Sequence, residues 1–299
     1  MIWFGAFSIN CTLAERRTME WIEVASDITV RQGDLLVSKF DKDRLPTELH
    51  LVITADCDIS KGKFGSHIAA LTIIPLEKYI EHIWAEKKLA TKVRNSQKQT
   101  IEVIRKHHST LISKKSNMTD DAAIGWLQTA TISEIIDELR IPAQDQKKFS
   151  KILQKWLDTF AEFTGDPLRS PLIKLANINA RIDGTEAFKE LRKLVEQVQN
   201  EVLPEDIFIV SEIPGLSMAG AVILLRELIG IPYTAIKYRL SDVCTSSEYL
   251  RAGRLTPQIK YAVSQAFGNL YSKIGLSPEY EEKKKTTIAK VTTESWASQ

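Results

Sequence analysis

Short apolar runs separated by polar turns occupy the two ends of the chain, a spacing typical of β-strands joined by tight loops. Gln32, Gly33 and Asp34 predict a turn, and Pro75 predicts the end of the early group of strands. The predicted strands are residues 28–30, 35–40, 49–54 and 67–74 near the start of the chain, and residues 207–210, 221–225 and 232–240 near its end.

Residues 77–202, between these two groups, repeat apolar positions every three or four residues, as amphipathic helices do. Thr131 and Glu134 have the spacing of a capping box, which predicts that a helix begins there. A second helical stripe covers residues 149–160. A third follows Thr185, which is predicted to be its N-cap, and we expect each stripe to be buried as part of a core.

The order of these elements predicts an α+β protein, in which the N- and C-terminal strands form a small SH3-like β-barrel or curled sheet and the helices form a large α-helical insertion. Thr256 and Pro257 predict the start of a closing helix that ends at Gly275. The predicted divisions are a flexible arm or over-called start at 1–18 with translation beginning at Met19, a β domain at 19–76 and 204–276, the insertion at 77–203, and a flexible tail at 277–299.

Composition excludes several function classes without selecting one. The chain has 299 residues with 40 Lys plus Arg and 38 Asp plus Glu, so its net charge of +2 creates no global field for nucleic acid or a membrane. Cys11, Cys57 and Cys244 are too few and too scattered for a disulfide framework or a structural zinc site. Because no apolar run approaches the roughly 20 residues of a membrane-spanning helix, we expect a cytoplasmic protein with no membrane partner. No cofactor or metal is expected either, since the sequence has no phosphate-binding Gly-rich loop, dinucleotide fingerprint or metal-ligand spacing.

Positive charge is concentrated at residues 87–115, where nine basic residues accompany Glu102 as the single acidic residue. Interspersed apolar residues predict a basic amphipathic helix. Because Lys and Arg replace condensed counterions on a nucleic-acid backbone, the stretch predicts a contact surface for RNA or DNA; a solvated face balanced elsewhere is the alternative. The candidate nucleic-acid-binding residues are Lys88, Lys92, Arg94, Lys98, Arg105, Lys106 and, near the end of the chain, Arg251.

Two other segments carry candidate catalytic residues. Asp56, Cys57 and Asp58 follow a predicted buried strand, and the exit of a strand holds side chains rigidly at a cleft. In an extended backbone the two aspartates share a face and Cys57 points away. This pattern fits a catalytic or ligand-binding role. It also fits a structural role, in which Cys57 packs in the core and the aspartates bind loop amides. Arg251 and Arg254 precede the closing helix, where they could meet an anion or pair with acidic residues. The candidate catalytic residues are Asp56, Asp58 and Arg254.

The GDLLV segment at residues 33–37, the LVIT strand at 51–54, and Arg254-Leu255 before an amphipathic helix follow one another in a recognisable order. In this order the ends of the chain resemble the PemK/MazF-like small barrels. The resemblance implies an SH3-like β-barrel and, since many members of that family are toxins that cut RNA without a metal, ribonuclease chemistry. The chain departs from the family pattern at residues 56–58, in the helical insertion, and in having no Arg directly after the first barrel turn, for which Arg44 is the nearby substitute.

Two function hypotheses follow. The first is a bacterial accessory component that binds nucleic acid or a protein partner, the latter through the helical block, as part of a phage-defence or toxin–antitoxin-like module. The second is a metal-independent hydrolase, most plausibly an endoribonuclease, with its site at the barrel cleft. The one acid–base couple that the predicted strands suggest joins His50 or His67 to Asp56 or Asp58.

Overall fold

A computed structural model describes residues 20–38, 48–111, 118–272, 279 and 282–287. The chain divides into two compact units: a barrel unit, Met1–Ile74 with Pro204–Gln299, and a helical unit, Pro75–Leu203. The predicted arm at 1–18, Arg44 and Gly275 lie outside the described residues, as does most of the predicted tail, of which residues 282–287 are helical.

The barrel unit is a curled, largely antiparallel sheet, which confirms the predicted α+β class. Its neighbouring strands follow the order β1-β8-β2-β3-β4-β6-β5, with β7 parallel to β8, so that early and late parts of the chain alternate in one sheet. The described strands are β1 (Trp21–Ile22), β2 (Asp34–Ser38), β3 (Leu49–Val52), β4 (His67–Pro75), β5 (Ile207–Val210), β6 (Ala221–Pro232), β7 (Ile236–Lys237) and β8 (Tyr249–Leu255). Two helices accompany them, α1 (Asp56–Ser60) and α9 (Pro257–Tyr271).

Strand β2 is buried along its whole length because the sheet has an apolar cluster on each face. Leu35 and Val37 belong to the cluster that α9 covers with Val263, whereas Leu36 packs in a second cluster with Val52. Each such side chain contributes roughly 1.5–3 kcal/mol relative to an exposed position. Because both faces of β2 are buried, residues 35–37 must be apolar without interruption.

Four barrel segments differ from their predicted form. Residues 28–30 are a loop, and residues 232–240 form two 3-10 turns around the two-residue strand β7. Residues 56–58, for which an extended backbone was expected, lie in the short helix α1. Residues 249–255 were not expected to be a strand, yet β8 pairs with β1, β2 and β7. Short β-branched runs do not distinguish loops from strands, and the charged residues of β8 find partners only in the folded sheet.

The helical unit contains the predicted amphipathic helices and others, among them helices at residues 120–129 and 171–183, that were not predicted. The capping box is confirmed: Glu134 N donates to Thr131 Oγ1 at 3.3 Å, and Thr131 N donates to Glu134 Oε2 at 2.7 Å. The elements are α2 (Leu76–Lys78), a π-helical turn (Tyr79–Trp84), α3 (Ala85–Leu111), α4 (Asp120–Thr129), α5 (Ile132–Glu138), α6 (Ala143–Thr164), α7 (Pro171–Asp183) and α8 (Ala187–Asn200). Their core is built mainly from α3, α4, α5 and α6 around Ile104, Leu153 and Trp156.

Helix α8 departs from its prediction in two respects. Its N-cap is Glu186, and the Thr185 hydroxyl donates to Glu190 Oε1 at 2.8 Å. Its apolar stripe is only partly buried: the side chain of Phe188 is 64% exposed and that of Val195 is 43% exposed. The hydrophobic period therefore predicted the helix correctly but not the burial of its apolar face.

Candidate nucleic-acid interface

Helix α3 is a long amphipathic helix of 27 residues that carries most of the predicted nucleic-acid-binding residues. Leu89, Ile101 and Ile104 are buried on one face, because they pack into the helical unit. Polar residues fall on more than one side of the helix: Ser96 and Thr100 are buried, whereas Lys87, Arg94 and Lys98 are exposed. The helix thus distributes the positive charge of residues 87–111 over more than one surface.

Four exposed cations form what we call the α3 basic stripe: Lys87, Arg94, Lys98 and Arg105. Successive members are seven, four and seven residues apart, so on an α-helix they fall within a sector of about 40°. At about 1.5 Å of rise per residue they extend over about 27 Å of the helix. The stripe is therefore a straight row of positive charge open to solvent.

The ion pairs within this stripe are weak. Lys98 Nζ lies 3.9 Å from Glu102 Oε1, and Arg105 Nη2 lies 2.6 Å from Asp120 Oδ1, with the four side chains 43–75% exposed. Arg105 Nε also donates to the carbonyl of Met118 at 2.8 Å. Such surface pairs contribute about 0–1 kcal/mol, so a phosphate can replace the carboxylate at little cost. Among the described residues, Lys87 and Arg94 form no ion pair.

Lys88 and Lys92, predicted to contact nucleic acid with the rest, belong to a different surface. They line a groove beside α6, where Lys88 Nζ donates to Glu201 Oε1 at 2.6 Å and Lys92 Nζ donates to Asn179 Oδ1. Lys106 is exposed and lies 18 residues, or five turns, beyond Lys88 on the same side of α3. The structure thus divides the predicted set in α3 between a stripe and a groove.

Arg251, the predicted contact in the barrel unit, is buried and holds a neighbouring loop. Its Nη2 donates to the carbonyl of Ala25 at 2.6 Å, its Nη1 donates to the carbonyl of Ile28, and its guanidinium lies 4.8 Å from the ring centre of Tyr238. Burial lowers the pKa of Arg251 from its usual value, and the charge of Asp34 opposes this. A guanidinium used in this way offers nothing to an external phosphate.

Arg254, a candidate catalytic residue, forms an ion pair with a fully buried carboxylate. Its Nε and Nη2 both donate to Asp34, with Nη2 3.0 Å from Oδ2, and the amide of Arg31 donates to Oδ2 at 2.9 Å. Burial raises the pKa of Asp34, and these donors only partly offset it. Residues three apart on a regular strand, such as Arg251 and Arg254, point to opposite faces. A β-bulge in β8, between the partners of Leu35 and Leu36, instead puts both arginines on one face.

Asp56, the second candidate, is held on the other side of the same turn. Gln32 N donates to its Oδ1 at 2.8 Å and Lys260 Nζ donates to its Oδ2 at 2.9 Å. Partial burial alone would raise the pKa of Asp56, but Lys260 and the Gln32 amide hold it below its usual value. The stem of Lys260 passes over Gly33, where a Cβ atom would lie 3.1 Å from Lys260 Cγ.

Asp58, the third candidate, does not join this group. The aspartates lie on helix α1 and not on a strand, so residues two apart do not share a face as predicted. The described contact of Asp58 is with Cys57 Sγ, 3.8 Å from Oδ1, and Cys57 is exposed instead of packed in the core. The turn at residues 32–34 therefore contacts both Asp56 and Arg254, and each of these is already ion-paired.

Neither suggested His–Asp couple forms. His67 Nδ1 lies 2.8 Å from Ser66 Oγ, and the nearest carboxylate of His50 belongs to Glu48, whose Oε2 is 3.6 Å from Nε2, too long for a hydrogen bond. Burial lowers the pKa of His50. The Tyr249 hydroxyl donates to the same Glu48 oxygen at 2.6 Å; burial and this carboxylate raise the pKa of Tyr249 to about 12.

Sequence reasoning missed two lysines, because each reaches its site from a helix distant in the sequence: Lys260 of α9 pairs with Asp56, and Lys155 of α6 lines the groove that holds Lys88 and Lys92. Within residues 20–38, 48–111, 118–272 and 282–287, no three His, Cys, Asp or Glu side chains are grouped so that they could hold a metal ion. In the same part of the chain no helix is long and apolar enough to cross a membrane. No protein-family model matches the chain, and no curated protein or solved structure matches it significantly.

Proposed function

We propose that this is a cytoplasmic nucleic-acid-binding protein whose contact surface is the α3 basic stripe. The observation that carries the proposal is the straight row of four exposed cations, two of them without an ion pair in the described structure. A polyanion with regularly spaced charges is the ligand that such a row fits. Side chains that read bases are not needed for this mode of contact, since phosphates supply the affinity.

The size of the stripe sets the expected affinity and its salt dependence. About 27 Å of helix corresponds to about eight base pairs of duplex at about 3.4 Å of rise each. If each of the four cations neutralises one phosphate, the logarithm of the association constant falls against the logarithm of the salt concentration with a slope of about −3.6. This is weak to moderate, sequence-independent binding.

The contacts of Asp56 and Arg254, the candidate catalytic residues of the barrel unit, favour binding over hydrolysis as the activity of this chain. The carboxylate of Asp56 accepts from Lys260, and the guanidinium of Arg254 is occupied by Asp34. A general base must be able to take a proton from its substrate near neutral pH. The lowered pKa of Asp56 makes it a poor general base, so the endoribonuclease hypothesis stays a prediction without geometric support.

The experiment is fluorescence anisotropy with labelled RNA and DNA of about 20 nucleotides, single-stranded and duplex, from about 50 to about 300 mM salt. The test variant replaces Lys87, Arg94, Lys98 and Arg105 with Gln. The matched control replaces four exposed cations of the barrel unit with Gln and so makes the same change in net charge: Lys61, Lys63, Arg226 and Arg239.

We expect the test variant to lose most of its affinity and its salt dependence, while the control variant retains both. Circular dichroism of the two variants shows whether each stays folded. Equal affinity of the wild-type chain and the test variant, or a salt slope near zero for the wild-type chain, would contradict the proposed function.

A protein partner is the second candidate, and the exposed side chains of α8 favour it. Phe188 and Val195, which are 64% and 43% exposed, lie seven residues apart on one face of α8. An apolar row of this kind on a helix is typical of an association surface. Sedimentation velocity tests association with a second copy: wild-type protein should form dimers that Phe188→Ser with Val195→Ser abolishes, and a concentration-independent monomer would reject that partner.

A further inference from the structure

The groove between α3 and α6 is a separate polar site within the helical unit. It has a volume of about 330 Å³ and lies on a different face of α3 from the basic stripe. Its lining is rich in lysine and in neutral polar side chains and includes no carboxylate: Lys88, Thr91, Lys92, Asn95, Ser96, Gln99 and Lys155.

Lys92 of α3 and Lys155 of α6 both line this groove, and no carboxylate is among its lining residues. Lys92 is half-buried, and burial together with the charge of Lys155 lowers its pKa, although Asp183 and Glu190 act in the opposite direction. Glu190 is itself engaged, since Lys193 Nζ donates to its Oε1 at 2.6 Å. Among the described residues, Lys155 has no ion pair.

The third lysine of the groove has a carboxylate partner at its edge. Lys88 Nζ donates to Glu201 Oε1 at 2.6 Å, and the same side chain of Glu201 accepts from Trp84 Nε1 at 2.9 Å. Glu201 is thereby fixed beside Lys88, outside the groove lining. Lys92 Nζ donates to the neutral amide oxygen of Asn179, so among the described residues neither Lys92 nor Lys155 has a carboxylate partner.

We propose that this groove binds the phosphate group of a phosphorylated ligand. Two ammonium groups supply the charge, and the side-chain amides of Asn95 and Gln99 supply neutral donors, the combination that phosphate oxygens require. The volume is at the lower end of the range for ligand pockets, about 300–1,000 Å³, so the site fits one or a few phosphate groups. The proposal rests on residues other than the α3 basic stripe, and it stands or falls separately from it.

Isothermal titration calorimetry with inorganic tripolyphosphate tests the site in the full-length protein. The wild-type chain should bind it, and Lys155→Gln should weaken binding by about tenfold or more, as expected when a charge-assisted contact is lost. Lys151→Gln is the matched control, because Lys151 is exposed one turn earlier on α6 and does not line the groove. Asn95→Ala, which removes a neutral lining group, should also weaken binding.

Two sources of phosphate are distinguished by competition. If tripolyphosphate displaces a labelled oligonucleotide and Lys155→Gln weakens both ligands, the groove takes a backbone phosphate of nucleic acid. If Lys155→Gln weakens tripolyphosphate and a nucleoside triphosphate but leaves oligonucleotide affinity unchanged, the ligand is a free phosphorylated molecule. Absence of tripolyphosphate binding by the wild-type chain, or equal binding by Lys155→Gln, overturns the proposal even where the stripe variant has confirmed nucleic-acid binding.

Discussion

Replacing Arg254 with Gln tests how the barrel unit keeps a buried carboxylate. Asp34 has no exposed side-chain surface, and Arg254 is 13% exposed. In the variant, Asp34 retains the backbone donor of Arg31 but loses both guanidinium donors. An unpaired charge remains in the protein interior, which is far more costly than an absent ion pair.

The magnitude follows from that burial. Removing one partner of a buried ion pair costs about 3–5 kcal/mol, a large fraction of the stability of a domain of this size. The double variant Asp34→Asn with Arg254→Gln removes both charges, and we expect it to be more stable than Arg254→Gln alone. The non-additivity of the two substitutions measures the interaction between the residues.

The pH dependence supplies an independent test of the same reasoning. Burial already raises the pKa of Asp34 above its usual value of 3.8, and loss of Arg254 should raise it further. Because the folded state then binds the proton more tightly than the unfolded state, the destabilisation should be greatest above the raised pKa and should shrink as pH falls through it.

Urea denaturation at several pH values, followed by circular dichroism, measures the free energy of unfolding of the wild-type chain, of the single variants Asp34→Asn and Arg254→Gln, and of the double variant. Arg254→Lys is a useful additional variant, since it keeps the charge and removes the two-pronged geometry. A loss below about 1 kcal/mol for Arg254→Gln, the range of a surface pair, would refute the view that this is a buried structural ion pair.

Three further predictions concern stability. Gly33→Ala should destabilise the protein by more than Gly62→Ala in urea denaturation. Both glycines have positive φ, where an alanine costs roughly 1–2 kcal/mol of backbone strain, but only at Gly33 does the new Cβ displace Lys260. Because the pKa of His50 is lowered in the folded state, the unfolded state binds more protons below pH 6.5, and wild-type stability should fall from neutral to acidic pH. We expect His50→Phe to flatten this part of the profile of melting temperature against pH. A profile that is the same in the variant and the wild-type chain would contradict this prediction. Thr131→Ala should cost about 1 kcal/mol by loss of the helix cap, which urea denaturation detects.

Residues whose structure depends on near neighbours were predicted well. The capping box at Thr131 forms as expected, because its hydrogen bonds join residues three positions apart. The α3 basic stripe could likewise be derived from spacing alone, since helical geometry fixes the direction of every side chain once the helix exists. The two-part sheet with an intervening helical block was also predictable, from the change of hydrophobic period near Pro75.

Residues whose structure depends on distant partners were not predictable in this way. Arg251 and Arg254 in strand β8 are typical of a charged connecting segment when the sequence is considered alone. Only in the folded sheet do they meet their partners, which are Asp34 and the carbonyl groups of residues 25 and 28. Lys155 joins Lys92 only because α6 packs against α3. A lone sequence carries no signal for such pairs, since their energy arises when burial removes water from both members.

Local hydrogen-bonding rules and hydrophobic periodicity were therefore sufficient for the class of fold, for several of the helices and for the exposed charge of α3, but not for α1, α4 or α7. Packing across the sheet and between helices decided which charges are engaged and which remain for a ligand. Arg254 and Arg105 are indistinguishable as side chains, but burial commits the first to Asp34 while solvent leaves the second exchangeable. The physical reason is that the strength of a charge–charge interaction depends on its surroundings, and only tertiary contacts set the local dielectric.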